Sequence, residues 1–383
     1  MKRLCKTVDI TDRGLISRAI YACLNKKYKR NDVVKYFSEL SGIKQGYIRC
    51  IYYRYGKEAL YAFTELAITE IQKEIKSGTF SFPAIWYRDK VDGSSGKIRR
   101  IGIQNIKQQL YDYIAVEALK PSLKRIGEYQ YASIKGRGTT KGKEVISRWI
   151  RNRNMRYFVK LDIRKCFENI DHKLLMEFLR KHVKNDPLLN LIDTLISSFE
   201  SGLSIGSYLS QYLCNLYMSV LYHEIKERTH RIRKRRAGNV KVQMVRHCLI
   251  YMDDILMIGS RKRDLERAVQ LTIQKAAEME LEIKPNYQVK SLDGNCIDML
   301  GFKIYRTHTE IRGRTFIRVR RSFRRARNRL TGVLAKKCLS YNGYLKHTNS
   351  LRMQKKLKTR EILQRCKELM KNESKIYVPA VTG

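Results

Sequence analysis

Proline is scarce in this chain, with five residues among 383, and together with a hydrophobic content of 43% that argues against global disorder. No run of 18 apolar residues occurs, so no membrane-spanning helix is expected. Met1-Lys2-Arg3-Leu4 leads into no apolar segment, and the expectation is a cytoplasmic protein. The nine cysteines form no CxxC pair and share no zinc spacing with histidine, so they read as reduced thiols. There are no internal repeats, and the length suits one large domain with appendages or two to three domains. Acid is what the chain most lacks. Asp and Glu total 36 against 79 Lys and Arg, a net charge of +43. Charge of that size repels itself unless a polyanion neutralises it, and nucleic acid is the expected partner.

What is present is a mixed pattern of helices and strands, an α+β chain. Residues from about Asp12 to Lys76 have helical apolar spacing, closed by Gly78 and Pro83. Phe80 to Ile103 reads as two strands joined by the loop 92–96. Helices are expected from about Lys107 to Leu123 and Lys141 to Arg153, a strand over Tyr157–Asp162, and a basic helical tail from Ser322.

Tyr251-Met252-Asp253-Asp254 lies between the apolar runs Leu249-Ile250 and Ile255–Ile258. Strand residues alternate faces, so two adjacent acids inside a strand would force one toward the core. At a turn both can enter a cleft and offer hard oxygens to Mg²⁺. A tight turn with solvated acids is the plainer reading. A second apolar strand ends in Asp162, with Phe167 five residues on. Alone, Asp162 is a helix N-cap after a strand. With Asp253 and Asp254 it supplies the third carboxylate needed to bridge two metal ions roughly 3.5–4 Å apart. Strand–Asp followed by hairpin–Asp-Asp is the layout of a polymerase palm.

With these motifs in order, the chain resembles a bacterial reverse transcriptase over roughly Ile75 to Ser350. The resemblance implies a right-hand fold: a helical N-terminal region over 1–76, fingers and palm over 77–305, and a basic helical thumb over 306–383. It implies two Mg²⁺ ions, with Mn²⁺ as a possible substitute, held at Asp162, Asp253 and Asp254 with Ile163 beside them. Gly96–Ile103 is similar to the fingers motif, so Lys97 and Arg99 would grip the triphosphate. Phe167 would be the gate that excludes a ribose 2′-hydroxyl, and Lys284 would approach the leaving phosphate. Leu300, Gly301 and Phe302 would form the primer grip. The implied partners are an RNA template, a DNA primer and product, dNTPs and an accessory protein.

Leu203–Gln211 departs from the common pocket motif of the family. Ile205 stands where a glutamine is usual, followed by Gly206, and Gln211 replaces a proline. An apolar residue with this Ser210-Gln211 pair, and with Asn215 beyond it, resembles the enzymes of diversity-generating retroelements. Loss of the amide removes a polar contact around the nucleotide, and pockets built on shape alone discriminate weakly. Low or base-selective fidelity is then expected, and the resemblance to these enzymes implies errors opposite template adenines. The alternative is that Ile205 simply packs beneath a helix. The long stretch Glu224–Arg246 and the N-terminal 75 residues leave a defence-associated enzyme open. An RNA-binding scaffold and an RNA-dependent RNA polymerase are further alternatives.

Ten arginines and one acid, Glu310, lie between Arg306 and Arg329. Arg321, Arg324, Arg325 and Arg329 recur at helical spacing and are expected to grip template–primer phosphates. Phe323, Ala326 and Leu330 would pack that helix onto the body. The basic run 231–236 reads as a surface loop or solvated arm. His172, His223 and His247 have no ligand spacing, and Tyr111, Tyr113, Tyr129 and Tyr131 are expected in the core. No ribonuclease H or nuclease constellation is evident.

Overall fold

The two apolar runs around the acid pair form neighbouring antiparallel strands, His247–Tyr251 and Asp254–Gly259. A computed structural model places them in a five-stranded sheet; it describes residues 3–91, 96, 98–236 and 238–376, with side chains as far as 372. The strand order is Gln130–Tyr131, His247–Tyr251, Asp254–Gly259, Tyr157–Asp162 and Lys290–Ser291. Only the first pair is parallel. The runs are continuous rather than alternating because both faces of the sheet are covered. Val159, Leu161, Ile255 and Met257 point into the larger core, whereas Phe158, Leu256 and Ile258 point into a second one. Each such side chain, fully buried, contributes about 1.5–3 kcal/mol.

The larger core includes the buried faces of Lys262–Ala277 and Tyr208–His223. The second core is closed by Thr139–Arg151 and by a small antiparallel sheet, Ile297–Met299, Phe302–Ile304 and Thr309–Ile311. That sheet continues past residue 305, where the sequence suggested a boundary. The N-terminal helices Arg13–Leu24, Asn31–Ser41, Gln45–Tyr55 and Leu60–Ser77 share the larger core, and Leu4 bridges Val183. The strands Trp86–Val91 and Ile98–Ile103 form a separate hairpin.

The helical tail begins at Gly313, earlier than the sequence suggested. Gly313–Asn328, Gly332–Lys346, Leu351–Lys356 and Thr359–Ile376 enclose a third core. Phe323 and Ala326 are fully buried in it, and Leu330 packs at its edge, so this helix packs on its own neighbours more than on the sheet. The 231–236 run is not a loop: His230–Arg235 and Gly238–Gln243 pair as an antiparallel ribbon.

Asp112 holds the helix Tyr208–His223 to the helix Ile106–Leu119. Its buried carboxylate accepts hydrogen bonds from Ser207 Oγ (2.6 Å), the Tyr208 and Leu209 amides (3.1 and 3.3 Å) and Gln104 Nε2 (3.2 Å). Burial nevertheless pushes its pKa up to about 6. Asp112→Ala strands these donors and is expected to cost about 3–5 kcal/mol, whereas Asp112→Asn keeps an acceptor and costs far less. A raised folded-state pKa favours the folded form most below the unfolded value and loses that advantage as pH rises through the folded one. Thermal unfolding should therefore show Asp112→Asn gaining on the wild type between about pH 4 and pH 6.

Candidate active site

Asp162 and Asp254 face each other directly across two central strands. Residues in such register carry Cβ atoms roughly 4.5–5.5 Å apart, and like charges there repel. Both carboxylates emerge on the face of the second core, just beyond its edge, because Phe158 and Leu256 precede and follow them at strand period. Asp253 occupies the turn above. The acid pair is thus split: Met252 and Asp253 form the turn, and Asp254 is already the first strand residue. Met252 takes a left-handed conformation (φ +54°) where a two-residue hairpin usually places glycine. Asn215 Nδ2 lies 3.7 Å from its sulfur and also bonds the Ala132 and Gln211 carbonyls, so the turn is tied to the pocket helix.

Two lysines hold the acids as they stand. Lys284 Nζ is 2.7 Å from Asp162 Oδ1, and Lys160 Nζ is 2.9 Å from Asp254 Oδ1. Lys284 was expected at a leaving phosphate; here it rests on a carboxylate. Lys160 was not singled out by the sequence, although its i+2 spacing from Asp162 puts both on one strand face. Asp253 has no such partner among the described ion pairs, and its pKa is raised, first by burial and then by the Asp254 and Asp162 charges, with Arg99 pulling the other way. Among the described residues no three acid, histidine or cysteine groups close on an ion in this arrangement, since two of the three acids are turned onto lysines. Three carboxylates at one sheet end nonetheless suit a hard divalent cation. Ile163 lies in an isolated bridge to Ile283 whose bonds run from Lys284 N–H to Asp162 C=O and from Arg164 N–H to Glu282 C=O. That bridge does not use the Ile163 carbonyl, while the Ile163 N–H donates to the Asp253 carbonyl at 3.2 Å.

The other candidates gather around this point from separate elements. Phe167 is half-buried on the short helix Cys166–Asn169, and its carbonyl accepts from the Leu203 amide at 2.7 Å. Gly202, at φ +52°, passes so close that an added Cβ would lie 2.3 Å from the Phe167 oxygen. Ile205 is half-buried, and an added Cβ on Gly206 would sit 2.3 Å from the Gly102 carbonyl of the Ile98–Ile103 strand. The loop is therefore clamped between the Phe167 helix and the strand that carries Arg99. Gln211 is held by the Ser133 hydroxyl. Lys97 lies outside the described residues.

Leu300 and Gly301 form a tight turn with both φ values positive, +60° and +85°. Glycine suits this; leucine costs about 1–2 kcal/mol there. Leu300 is buried against Gly142, and Phe302 packs on the Tyr344 ring at 5.2 Å. This turn borders the core face from which Asp162 and Asp254 emerge. The arginine set does not form the single face expected. Asn328 ends the helix, and Arg329 is an extended residue beyond it. Arg324 lines a groove of about 760 Å³ with Arg320, Arg327, Arg352 and Lys356, while Arg321 and Arg325 are exposed outside it. Tyr111 and Tyr131 are core residues, Tyr113 and Tyr129 pack at its margin, and His247 stacks on Trp149.

Residues 88–304 match the family model described as reverse transcriptase (RNA-dependent DNA polymerase). The chain is 24% identical to the putative COX1/OXI3 intron 2 protein of Saccharomyces cerevisiae over 40% of its length and 19% of that protein's. It is also 24% identical to the corresponding intron 1 protein over 49% of its length and 23% of that protein's. The chain thus spans about a fifth of the length of these curated relatives. Apo telomerase from Candida tropicalis, truncated from its C-terminal domain, aligns with 60% of this chain and 54% of that one, at 13% identity and a TM-score of 0.43. The family match covers more than half of the chain and spans all three acids, and the chain belongs to the reverse transcriptase family.

Proposed function

We propose that this chain is an RNA-directed DNA polymerase in which Asp162, Asp253 and Asp254, with the Ile163 carbonyl, hold two Mg²⁺ ions. The carrying observation is the direct apposition of Asp162 and Asp254 beneath Asp253, three like charges at one sheet end of which Lys284 and Lys160 offset two and leave Asp253 without a partner among the described ion pairs. Bound metal would supply an activated primer 3′-hydroxyl and charge stabilisation at the leaving pyrophosphate. The chain's own residues orient and select. Arg99 approaches the acids from the Trp86–Ile103 hairpin, Phe167 and Ile205 flank the nucleotide, and the Leu300–Gly301 turn supports the primer end. Lys160 and Lys284 hold the acids as they stand, and Lys284, if displaced from Asp162 by bound metal, would be the lysine offered to the leaving phosphate. The groove-lining Arg324, with exposed Arg321 and Arg325, takes phosphates of the duplex. Primer extension on an RNA template with Mg²⁺ tests the reading; absence of DNA product from folded protein across templates would sink it.

The gate assignment predicts that Phe167→Ala admits ribonucleotides. The ratio of kcat/KM for dNTP over rNTP should fall by about one to two orders of magnitude, since one pocket contact is worth about 1–3 kcal/mol. An unchanged ratio would remove Phe167 from that role.

The finer reading is an error-prone enzyme of a diversity-generating retroelement, supported by Ile205 and the Ser210-Gln211 pair. Ile205→Gln restores an amide beside the nucleotide. Misincorporation opposite template adenine should drop several-fold, with little change opposite the other bases. Steady-state misincorporation that is no higher opposite adenine in the wild type would favour the defence-associated alternative, as would neighbouring DNA lacking an adenine-varied repeat.

A further inference from the structure

The ribbon His230–Gln243 lies at the opposite end of the central sheet from the acids. Its second strand leads through Met244–Arg246 into His247, and the sheet then runs roughly 17 Å along Tyr157–Asp162 and its partners to the carboxylates. Among the described residues, its side-chain and backbone anchors lie at its base. Arg231 Nε meets Asp264 at 3.2 Å, the Gln243 amide reaches the Lys226 carbonyl, and Met244 N–H bonds the Thr229 carbonyl at 3.0 Å. Beyond that base, both faces are exposed. Ile232 is 64% exposed and Val240 40% exposed, neither covered by another element. A two-stranded hairpin on its own is marginal in water, so one that projects apolar and cationic side chains on both faces is built to be covered.

The charge says by what. Arg233, Lys234, Arg235, Arg236 and Lys241 are exposed, and their side chains make no ion pair with described residues. The base of the ribbon opens into a groove of about 700 Å³ in which Arg156, Arg246 and Arg261 stand among Asn152, Asn154 and Gln243, with no carboxylate in its lining. His247 at its floor is held neutral, its pKa lowered to about 4, first by burial and then by Lys226 and Arg246. Ribbon and groove together form a cationic surface at the sheet end opposite the reaction centre, where the carboxylate at the ribbon base, Asp264, is already paired with Arg231. Guanidinium groups and amides side by side fit phosphate oxygens and ribose hydroxyls better than carboxylates alone.

We infer that this surface is a second RNA-binding site, which holds a folded, double-helical segment of the RNA outside the polymerising cleft. Contacts run to phosphate and ribose along the backbone, with Ile232 seated against the exposed sugar edges on the face it shares with Lys234 and Lys241. The site does not depend on the template being copied, so it tethers the RNA while the template strand moves.

The test uses the full chain and a labelled RNA stem-loop of about 16 base pairs, the span one double-stranded-RNA module covers. Replacing Arg233, Lys234 and Arg235 together with glutamine should weaken binding about tenfold or more and lower the slope of log affinity against log salt by about two to three. Extension of a short primer–template should keep its kcat and KM. A second variant, joining Ile232 to Lys241 through Asn-Gly, removes the ribbon tip with a turn the strands accept and should lose the same affinity. Affinity within twofold of wild type in both variants would overturn the inference. So would an equal ribbon dependence for duplex DNA, or competition by poly-glutamate as effective as RNA at equal charge. Loss of short-template extension would place the ribbon in the cleft and overturn it as well.

Discussion

Asp253→Asn should reduce primer extension about 1,000-fold or more while leaving the fold intact and slightly more stable. The two effects share one cause. Asp253 is a partly buried carboxylate whose ionisation is opposed by burial and by the charges of Asp254 and Asp162. In the free protein that charge is a cost, and the amide removes it at equal volume. Relief of a like-charge contact is worth about 0.2–1 kcal/mol, or roughly one degree or less in melting temperature for a chain of this size. Loss of a thousandfold in rate corresponds to about 4 kcal/mol of transition-state stabilisation. It is the scale expected when a metal ligand in a two-metal site is lost. Thermal unfolding with and without Mg²⁺ separates the two effects: added Mg²⁺ should raise the wild-type midpoint and move the variant's much less. A variant that still extends primers within tenfold of wild type would remove Asp253 from the catalytic set. If the variant instead bound RNA normally but extended nothing, the scaffold reading would lose its main attraction, because synthesis would depend on a residue that binding does not need.

Much of this geometry was legible in sequence because strand period is rigid. Tyr157–Asp162 is found as read, and an acid ending one strand beside an acid opening the next could meet only if those strands paired. The turn at Leu300–Gly301 was visible as a motif, though not its strain. Residues whose roles come from tertiary packing were not legible. Lys160 looks like any charged strand residue until Asp254 is brought beside it. Asp112, between two tyrosines in a helix, looks like a surface acid; only the docking of Tyr208–His223 encloses it. Arg329 continues the arginine spacing, but the helix has ended. Spacing describes a face only while the helix lasts. The basic run 231–236 reads equally as a surface loop or a solvated arm because its alternation of Ile232 with arginine and lysine has no apolar face to mark the strand His230–Arg235.

Gly202→Ala is expected to damage the enzyme more than any other single-methyl addition near the site. Two costs coincide. The residue sits at φ +52°, which costs an alanine about 1–2 kcal/mol. Its new Cβ would meet the Phe167 and Glu168 carbonyl oxygens at 2.3 and 2.4 Å, both backbone atoms that cannot rotate aside. Overpacking of this kind costs about a further 1–3 kcal/mol. The strain is relieved only by moving the loop away from Phe167, breaking the Leu203–Phe167 bond at 2.7 Å and the imidazole contact of His172 to the Gly202 carbonyl. Phe167 and Ile205 then lose their spacing on the two sides of the nucleotide. A displacement of about 1 Å in a positioned site can cost about 100-fold, so kcat/KM for dNTP should fall by that order. Binding of RNA to the distant cationic groups should change little. Gly138→Ala is the control, because its φ is negative and an added Cβ meets nothing within 4 Å. It should leave rate and stability near wild type. Equal damage from both alanines would mean that the chain tolerates no added methyl at all, and the clamp between pocket loop and gate would lose its explanation. Equal tolerance would mean that Gly202 is not where the pocket is set.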